Sequence, residues 1–242
     1  MIKTVLRHRL HFNSGKKRTI KTMEDLTKPP IISIHIPKTA GTTFRQILDA
    51  EFGESLLAVY GASHPSHERL MRVDTTTRVG VIMDGFQILH GHYKPSRFDW
   101  SSECKKITWV REPYQRCASQ YSHLRRQVSS GRSHEFLPDP EMTFEAFIEQ
   151  PKISNFMSQY IEGTDISNWS CVGVVEEFES SLEAMAIALD RDLVNLAAPT
   201  NENPDKTAKK YAPDSKAVQS KFEELNSLDY ELYEQALNAI KS

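Results

Sequence analysis

The sequence predicts an α/β fold: a three-layer domain in which a central, mostly parallel sheet is flanked by helices. Three strand-like runs, at residues 31–36, 105–110 and 171–178, each lead into a helical pattern. This alternation is typical of a parallel sheet between helices. At 242 residues the chain is long enough for one such domain and short for two. We therefore divide it into a basic N-terminal arm, residues 1–28, and a single domain, residues 29–242.

The composition is that of a soluble globular protein. Hydrophobic residues make up 39% of the chain, charged residues 26%, and the formal net charge is -2. This bulk charge argues neither for nor against a nucleic-acid partner, and none is expected. The three cysteines form no CxxC pair, and this predicts neither a disulfide framework nor a zinc site. No stretch approaches the roughly 20 apolar residues that span a bilayer. The arm fits a solvated tail better than a surface for an acidic glycan or a membrane.

The first strand-like run ends in a loop suited to an anion. The spacing of Phe44, Ile47 and Leu48 predicts a helix over 43–52, ended by Gly53. The start of a helix leaves backbone N–H groups unpaired at the positive end of its dipole, which favours an anion there. The loop adds a lysine charge, threonine hydroxyls and a glycine that allows close approach. Its candidate anion-binding residues are Lys38, Thr39, Ala40, Gly41, Thr42 and Thr43.

Two histidines belong to a further predicted strand at residues 86–93. His90 and His92 flank Gly91, and alternate residues of a strand share a face, so both would lie on one side if the strand continued. One of them could reach a pocket at the carboxyl end of the strand, where open α/β sheets bind their ligands. His35 belongs to the first strand and is interpreted as structural.

The strand at 105–110 leads into an arginine and a long helix. Pro113 suits the first helical turn, and the helix is predicted to continue to about residue 127. Arg111 offers a planar fork for a phosphate dianion, and Ser119, about two turns into the helix, could add a hydroxyl. Arg116 could point to the same pocket or to solvent, and the sequence does not separate these alternatives.

These motifs resemble those of sulfotransferases that use 3′-phosphoadenosine 5′-phosphosulfate (PAPS). The segment HIPKTAGTT is similar to their 5′-phosphosulfate loop, particularly in the carbohydrate-type branch with the heparan sulfate 2-O- and 6-O-sulfotransferases and bacterial relatives. Arg111, followed by an acid, a proline and then Ser119, is similar to their 3′-phosphate motif. The resemblance covers about residues 30 to 190. It implies a P-loop-like fold and transfer of a sulfuryl group from PAPS to a hydroxylated acceptor, most readily a glycan.

The resemblance also implies roles for individual residues. His90-Gly91-His92 resembles the segment that carries the base of the 2-O-sulfotransferases, so His92 is the candidate general base and His90 would support it or position the substrate. Lys38 would stabilise charge on the bridging oxygen of PAPS, and the rest of the loop would hold the phosphosulfate. Arg111 and Ser119 would hold the 3′-phosphate. No metal is expected, because lysine and backbone donors replace magnesium.

Other stretches bear on the acceptor and on the end of the chain. Relatives often carry an arginine where this chain has Gln159, so an anionic-acceptor contact is in doubt there. Thr143 is predicted to cap a helix over 144–149, and another helix is predicted over 180–189. Residues 214–239 are predicted as a helical tail. Its expected packing face is Phe222, Leu225, Leu228, Leu232 and Leu237, and Lys206, Lys209 and Lys210 are candidates for a loop over the nucleotide.

Two other functions are consistent with the same motifs. A small-molecule kinase with a P-loop would need magnesium, but the lysine precedes the only glycine of the loop and no aspartate follows a strand in the Walker B manner. A non-catalytic nucleotide- or glycan-binding protein would keep the pockets without turnover. A cytoplasmic, bacterial-type enzyme is expected from the cysteines and the missing signal peptide. The alternative is a Golgi-lumenal domain whose anchor has been removed.

Overall fold

A five-stranded parallel sheet forms the centre of the fold. The computed structural model describes residues 28–60, 86–97, 104–196, 213 and 215–242. The sheet has the order β2-β3-β1-β4-β5, and every pairing is parallel. This confirms the predicted α/β architecture. The strands are β1 (Ile31–Ile34), β2 (Leu56–Val59), β3 (Ile88–Gly91), β4 (Lys105–Val110) and β5 (Cys171–Val174).

Seven α-helices lie within the described residues. Their bounds are α1 (Gly41–Phe52), α2 (Pro113–Ser129), α3 (Phe144–Ile148), α4 (Phe156–Tyr160), α5 (Phe178–Leu189), α6 (Lys216–Leu225) and α7 (Ser227–Lys241). Two of them begin as the sequence predicts. Pro113 opens α2, where the Glu112 carboxylate accepts two backbone N–H groups, and the Thr143 hydroxyl accepts the N–H of Ala146 in α3.

Helices cover both faces of the sheet, which gives the three predicted layers. Adjacent residues of β1 pack on opposite faces, as the alternation of side chains along a strand requires. Ile31 packs with residues of α1 and α5, whereas Ile32 packs with residues of α4 and α7. A third apolar cluster joins α2, α3 and α6 beside the sheet. The strand-to-helix loops meet at the edge of the sheet that is formed by the carboxyl ends of the strands.

Two features differ from the sequence prediction. Strand β2 was not predicted, because its four residues are all buried and show no alternation of polar and apolar side chains. The C-terminal tail is helical, but it divides into two helices at Asn226. Because of this break, the residues that face the core differ from those of a single continuous helix. Phe222 and Leu232 are buried as expected, whereas Leu228 is 54% exposed, so its predicted packing position is wrong.

Several predictions lie outside the described residues. They concern the basic arm up to residue 27 and the candidate lysines Lys206, Lys209 and Lys210. Lys28, at the end of the arm, is described and pairs with Asp190 at 2.7 Å. Of the helices that the structure describes, none combines the length and apolar character that crossing a bilayer requires.

Candidate functional site

The candidate residues follow three neighbouring strands. The 38–43 loop follows β1, His92 follows β3, and Arg111 follows β4, and both β3 and β4 pair with β1. The strand order also reverses at this point, because β2 and β3 lie on one side of β1 while β4 and β5 lie on the other. In open parallel sheets the crevice outside such a reversal is the usual ligand site. The fold therefore brings the predicted loop, base and arginine to one edge.

The 38–43 loop presents unpaired backbone donors. Lys38 and Ala40 have φ angles of 73° and 59°, in the left-handed region that residues other than glycine seldom adopt. Ala40 is the N-cap of α1 and offers no side-chain acceptor. Within the described part of the chain, the N–H groups of residues 41–43 have no hydrogen-bond partner, and the first helical bond runs from Phe44 to Ala40. This run of unpaired N–H groups at a helix start suits an anion.

The loop side chains divide into internal and outward groups. Thr39 is fully buried, and its hydroxyl donates to the Ile36 carbonyl oxygen at 2.8 Å, so its proton is used within the loop. Thr39 can therefore offer an anion its backbone N–H but not its hydroxyl. Thr42 is exposed and Thr43 is half-buried. Their hydroxyls lie at the start of α1, where the backbone N–H groups are unpaired.

Arg111 lies next to the loop. Its Nη1 is 3.5 Å from the carbonyl oxygen of Lys38, and its Nε is 3.9 Å from a carboxylate oxygen of Glu176. The Nε is also buried, without a hydrogen-bond partner among the described residues. Burial raises the pKa of Glu176, and Arg111 opposes that shift only in part. A guanidinium with a long ion pair and an unpaired N–H retains capacity for another anion.

Helix α2 buries the other two polar residues of the arginine motif. Ser119 is 2% exposed and Arg116 is 1% exposed, so Arg116 points neither to solvent nor to an open surface. Its Nη1 donates to Gln120 at 2.6 Å, and its guanidinium lies over the Phe156 ring at 4.4 Å. Burial lowers the pKa of Arg116. Its contacts connect α2 to α4.

Three imidazoles stack beside the loop. The ring of His35, just beyond β1, stacks on that of His90 at 5.5 Å and on that of His92 at 4.4 Å. His90 is 1% exposed, and its Nδ1 is 2.8 Å from the Ser33 hydroxyl. The structure therefore places His90 behind the site rather than on its surface. His92 is half-buried and is the outer histidine of the pair.

The hydrogen bond of His92 defines its tautomer. Its Nδ1 lies 2.8 Å from the His35 carbonyl oxygen, which can only accept, so Nδ1 carries the proton. The free electron pair is then on Nε2. Burial lowers the pKa of His92, and the bond to His35 opposes this shift in part. Near neutral pH the ring is therefore uncharged and can accept a proton.

Aromatic side chains flank His92. The rings of Tyr60 and Tyr160 meet it edge to face, at 5.0 Å and 6.5 Å. The pKa of each tyrosine is raised, chiefly by burial. Gln159, where relatives often have arginine, is exposed, and its amide donates to the carbonyl oxygens of Pro151 and Ser154. The two tyrosine rings that contact His92 are therefore uncharged near neutral pH.

Acidic residues near the strand ends are engaged in protein contacts. Glu112 caps α2 with both carboxylate oxygens, and Glu176 accepts the backbone N–H of Glu112. Within the residues described, no group of three or more His, Cys, Asp or Glu side chains could hold a metal ion.

Sequence reasoning did not anticipate the contacts of His35 and Tyr60. His35 was interpreted as structural, yet its ring lies between the loop and His92. Tyr60 follows the unpredicted strand β2, and its hydroxyl is 3.2 Å from the Nδ1 of His35. The available signal was that His35 and His92 each follow a strand end. Whether two such positions are neighbours depends on the order of the strands in the sheet, which the sequence alone does not give.

Comparison with known protein families places most of the chain in one family. Residues 25–235 match the model described as the sulfotransferase family. The match includes the 38–43 loop, His90 and His92, and Arg111 with Ser119. A search of curated proteins gives no match.

Proposed function

The chain belongs to the sulfotransferase family, and from this we propose that it transfers a sulfuryl group from PAPS to a hydroxyl of a carbohydrate acceptor. One observation carries the proposal. The 38–43 loop, His92 and Arg111 meet at the ends of adjacent strands, with Arg111 in contact with the Lys38 carbonyl. The carbohydrate acceptor is supported by the likeness of HIPKTAGTT and His90-Gly91-His92 to the carbohydrate-type branch.

The residues present fit a donor with two phosphate-containing ends. The unpaired N–H groups at the start of α1 suit a phosphosulfate, and Lys38 of the same loop carries a positive charge. Arg111, with its unpaired Nε, suits the 3′-phosphate, and Ser119 lies on the helix that follows it. Arg111 lies against the carbonyl of the loop lysine, so a single nucleotide can be held by both.

The proposed reaction requires a base on one side of sulfur and cationic help on the other. The acceptor oxygen attacks sulfur and gives its proton to Nε2 of His92, the ring nitrogen that the His35 carbonyl leaves unprotonated. As the new O–S bond forms, the bond from sulfur to the bridging oxygen breaks. Adenosine 3′,5′-bisphosphate leaves with the electron pair. Lys38 and the helix N–H groups stabilise the charge that develops on that oxygen.

The deciding experiment compares His92→Ala with the wild type in turnover and in ligand binding. With radiolabelled PAPS and a panel of glycans, the variant should lose about 100-fold or more of its turnover, which is typical of general-base removal. Adenosine 3′,5′-bisphosphate should still raise its melting temperature, because the ligand binds the loop and Arg111. The matched control is His123→Ala, which removes a half-buried histidine of α2 and should leave turnover unchanged.

Two results would reject parts of the proposal. Unchanged turnover in His92→Ala would show that the base is another group. Stronger thermal stabilisation by ATP with magnesium than by the bisphosphate would favour a kinase.

A further inference from the structure

His35 lies between the 38–43 loop and the proposed base. Its ring stacks on that of His92, with centroids 4.4 Å and planes 22° apart. It also lies against the first residue of α1, because a Cβ added at Gly41 would be 1.6 Å from the Nε2 of His35. Only a residue without a Cβ leaves room for the imidazole. The ring therefore fills the space between the anion loop and His92.

We propose that His35 is a positioning residue for His92. Its carbonyl oxygen holds the proton on Nδ1 of His92, and its ring keeps the His92 ring at a fixed distance from the 38–43 loop. This inference rests on the proposed function, since it gives His35 a part in the same reaction. Such a part matters because a displacement of about 1 Å at a reacting group can reduce the rate about 100-fold.

The contacts of His35 keep its ring neutral and oriented. Burial, followed by the proximity of His92 and Lys38, lowers the pKa of His35 to about 3. A neutral ring does not repel the imidazolium that forms when His92 takes up a proton, and its π face attracts that cation. The Tyr60 hydroxyl, 3.2 Å from Nδ1 of His35, holds the ring against rotation.

The ionisable groups around His92 determine whether its pKa depends mainly on how its ring is packed. They come from the ends of β1, β2 and β3 and from helices α1 and α4. The rings of His35, Tyr60 and Tyr160 contact His92 directly. Behind them lie His90 and the cations Lys38 and Arg45, whose charges act on His35 and His90 respectively. The histidines are neutral near pH 7 because burial lowers their pKa, and the tyrosines are neutral because burial raises theirs. Removing the His35 ring therefore changes chiefly the burial and geometry of His92.

The first test needs neither donor nor acceptor. Histidine ring nitrogens of the full chain, labelled with ¹⁵N, are titrated by NMR in the wild type and in His35→Ala. The wild type should show His92 protonated on Nδ1, with a pKa below 6.5. In His35→Ala, water enters the space of the missing ring. The pKa of His92 should then rise towards 6.5, while Nδ1 keeps its proton, because the carbonyl oxygen of residue 35 belongs to the main chain and remains in the variant.

The second test separates positioning from a general loss of structure. With the glycan that gives turnover, His35→Ala should reduce kcat about 100-fold while the KM for PAPS changes less than threefold. The low-pH limb of the kcat profile should move to higher pH along with the pKa of His92. His35→Phe keeps a ring that can stack and should retain kcat within about 10-fold of the wild type. Thermal stabilisation by adenosine 3′,5′-bisphosphate verifies that each variant keeps its donor site.

The outcomes distinguish this inference from the proposed function. An unchanged pKa of His92 in His35→Ala would overturn the positioning role, whatever the turnover. If His35→Ala does not fold, His35→Phe decides, because a loss as large as that of His92→Ala with an intact bisphosphate response would also overturn it. By contrast, full turnover in His92→Ala rejects the base itself. The effect of His35→Ala on the pKa of His92, measured by NMR, would remain valid in that case.

Discussion

Arg111 shows how one side chain can be held ready for an anion. Its nearest carboxylate oxygen, on Glu176, is 3.9 Å away, and its contact with the Lys38 carbonyl is 3.5 Å long. Both distances exceed those of a strong charge-assisted hydrogen bond. Its buried Nε has no hydrogen-bond partner among the described residues. A phosphate that supplied close oxygens would complete the hydrogen bonding of this guanidinium.

Arg111→Ala should therefore weaken binding of adenosine 3′,5′-bisphosphate. We expect an affinity about 100-fold lower, equivalent to about 3 kcal/mol, because a charge-assisted fork is lost. Arg111→Lys should recover only part of this loss, since an ammonium cannot bind phosphate in the same planar way. Calorimetric titration measures the effect, with the exposed Arg132→Ala as the control. Equal affinities in the alanine variants would show that the 3′-phosphate binds elsewhere.

The sequence allowed candidate residues to be chosen by their chemistry, but it did not show the side-chain contacts that determine what each residue can do. Lys38, Arg111 and His92 could be selected because each follows a strand and carries suitable chemistry. The sequence could not show that the Thr39 hydroxyl is used by the Ile36 carbonyl. It also left open the direction of Arg116, which is determined by packing against a distant helix. Such contacts depend on side-chain positions that no local pattern encodes.

At the scale of elements, the junction of β1 with α1 depends on one glycine. Gly41 has an ordinary helical backbone, and an alanine in a helix usually stabilises it by about 1 kcal/mol relative to glycine. Here a Cβ would overlap the His35 imidazole, which is itself packed against His90 and His92. The glycine is needed for the space it leaves rather than for its flexibility.

Gly41→Ala should therefore destabilise the protein and reduce turnover. We expect a loss of about 1–3 kcal/mol in the free energy of unfolding, typical of overpacking, measured by urea denaturation. The matched test places the same substitution in the His35→Ala background, where the missing ring leaves room for the methyl group. There Gly41→Ala should cost less than half as much. An equal cost in both backgrounds would mean that the His35 ring is not what excludes the side chain.

Prediction of elements succeeded where local signals were strong. Pro113 and the capping residue Thr143 gave correct starts for α2 and α3. It failed where tertiary contacts decide. Strand β2 carries no alternation because it is buried throughout, and the tail breaks at Asn226 because that side chain bonds to distant backbone. Local pattern alone predicts a continuous helix there.

At the scale of the whole molecule, the order of the strands creates the site. The sequence order of the motifs does not reveal that β1 lies between β3 and β4. Without that order, the loop, His92 and Arg111 could lie on separate parts of the sheet edge. Once the order is known, their proximity follows from the parallel register. The candidate residues can therefore be chosen from the sequence by their chemistry, but the sequence does not show that they lie together.

A reciprocal set of hydrogen bonds joins the C-terminal helices to the rest of the fold. The Asp229 carboxylate accepts the N–H groups of Met157 and Ser158 at 3.0 and 2.8 Å, at the start of α4. In return, the side chain of Asn155 accepts the N–H groups of Leu228 and Asp229. Each helix start is thus capped by a side chain of the other. These hydrogen bonds also fix the position of α4, whose last residue, Tyr160, flanks His92.

Asp229→Ala should lower the free energy of unfolding by about 3 kcal/mol. Asp229 is 1% exposed, and its removal leaves two backbone N–H groups without their charged acceptor, each worth about 1.5–3 kcal/mol before water enters. Urea denaturation measures the loss, with Glu234→Ala, an exposed site on the same helix, as the control. Asp229→Asn keeps one acceptor oxygen and should lose roughly half as much. If the free energies of unfolding of Asp229→Ala and Glu234→Ala differ by less than about 0.5 kcal/mol, these hydrogen bonds contribute nothing to stability, and packing alone holds α7 against α4.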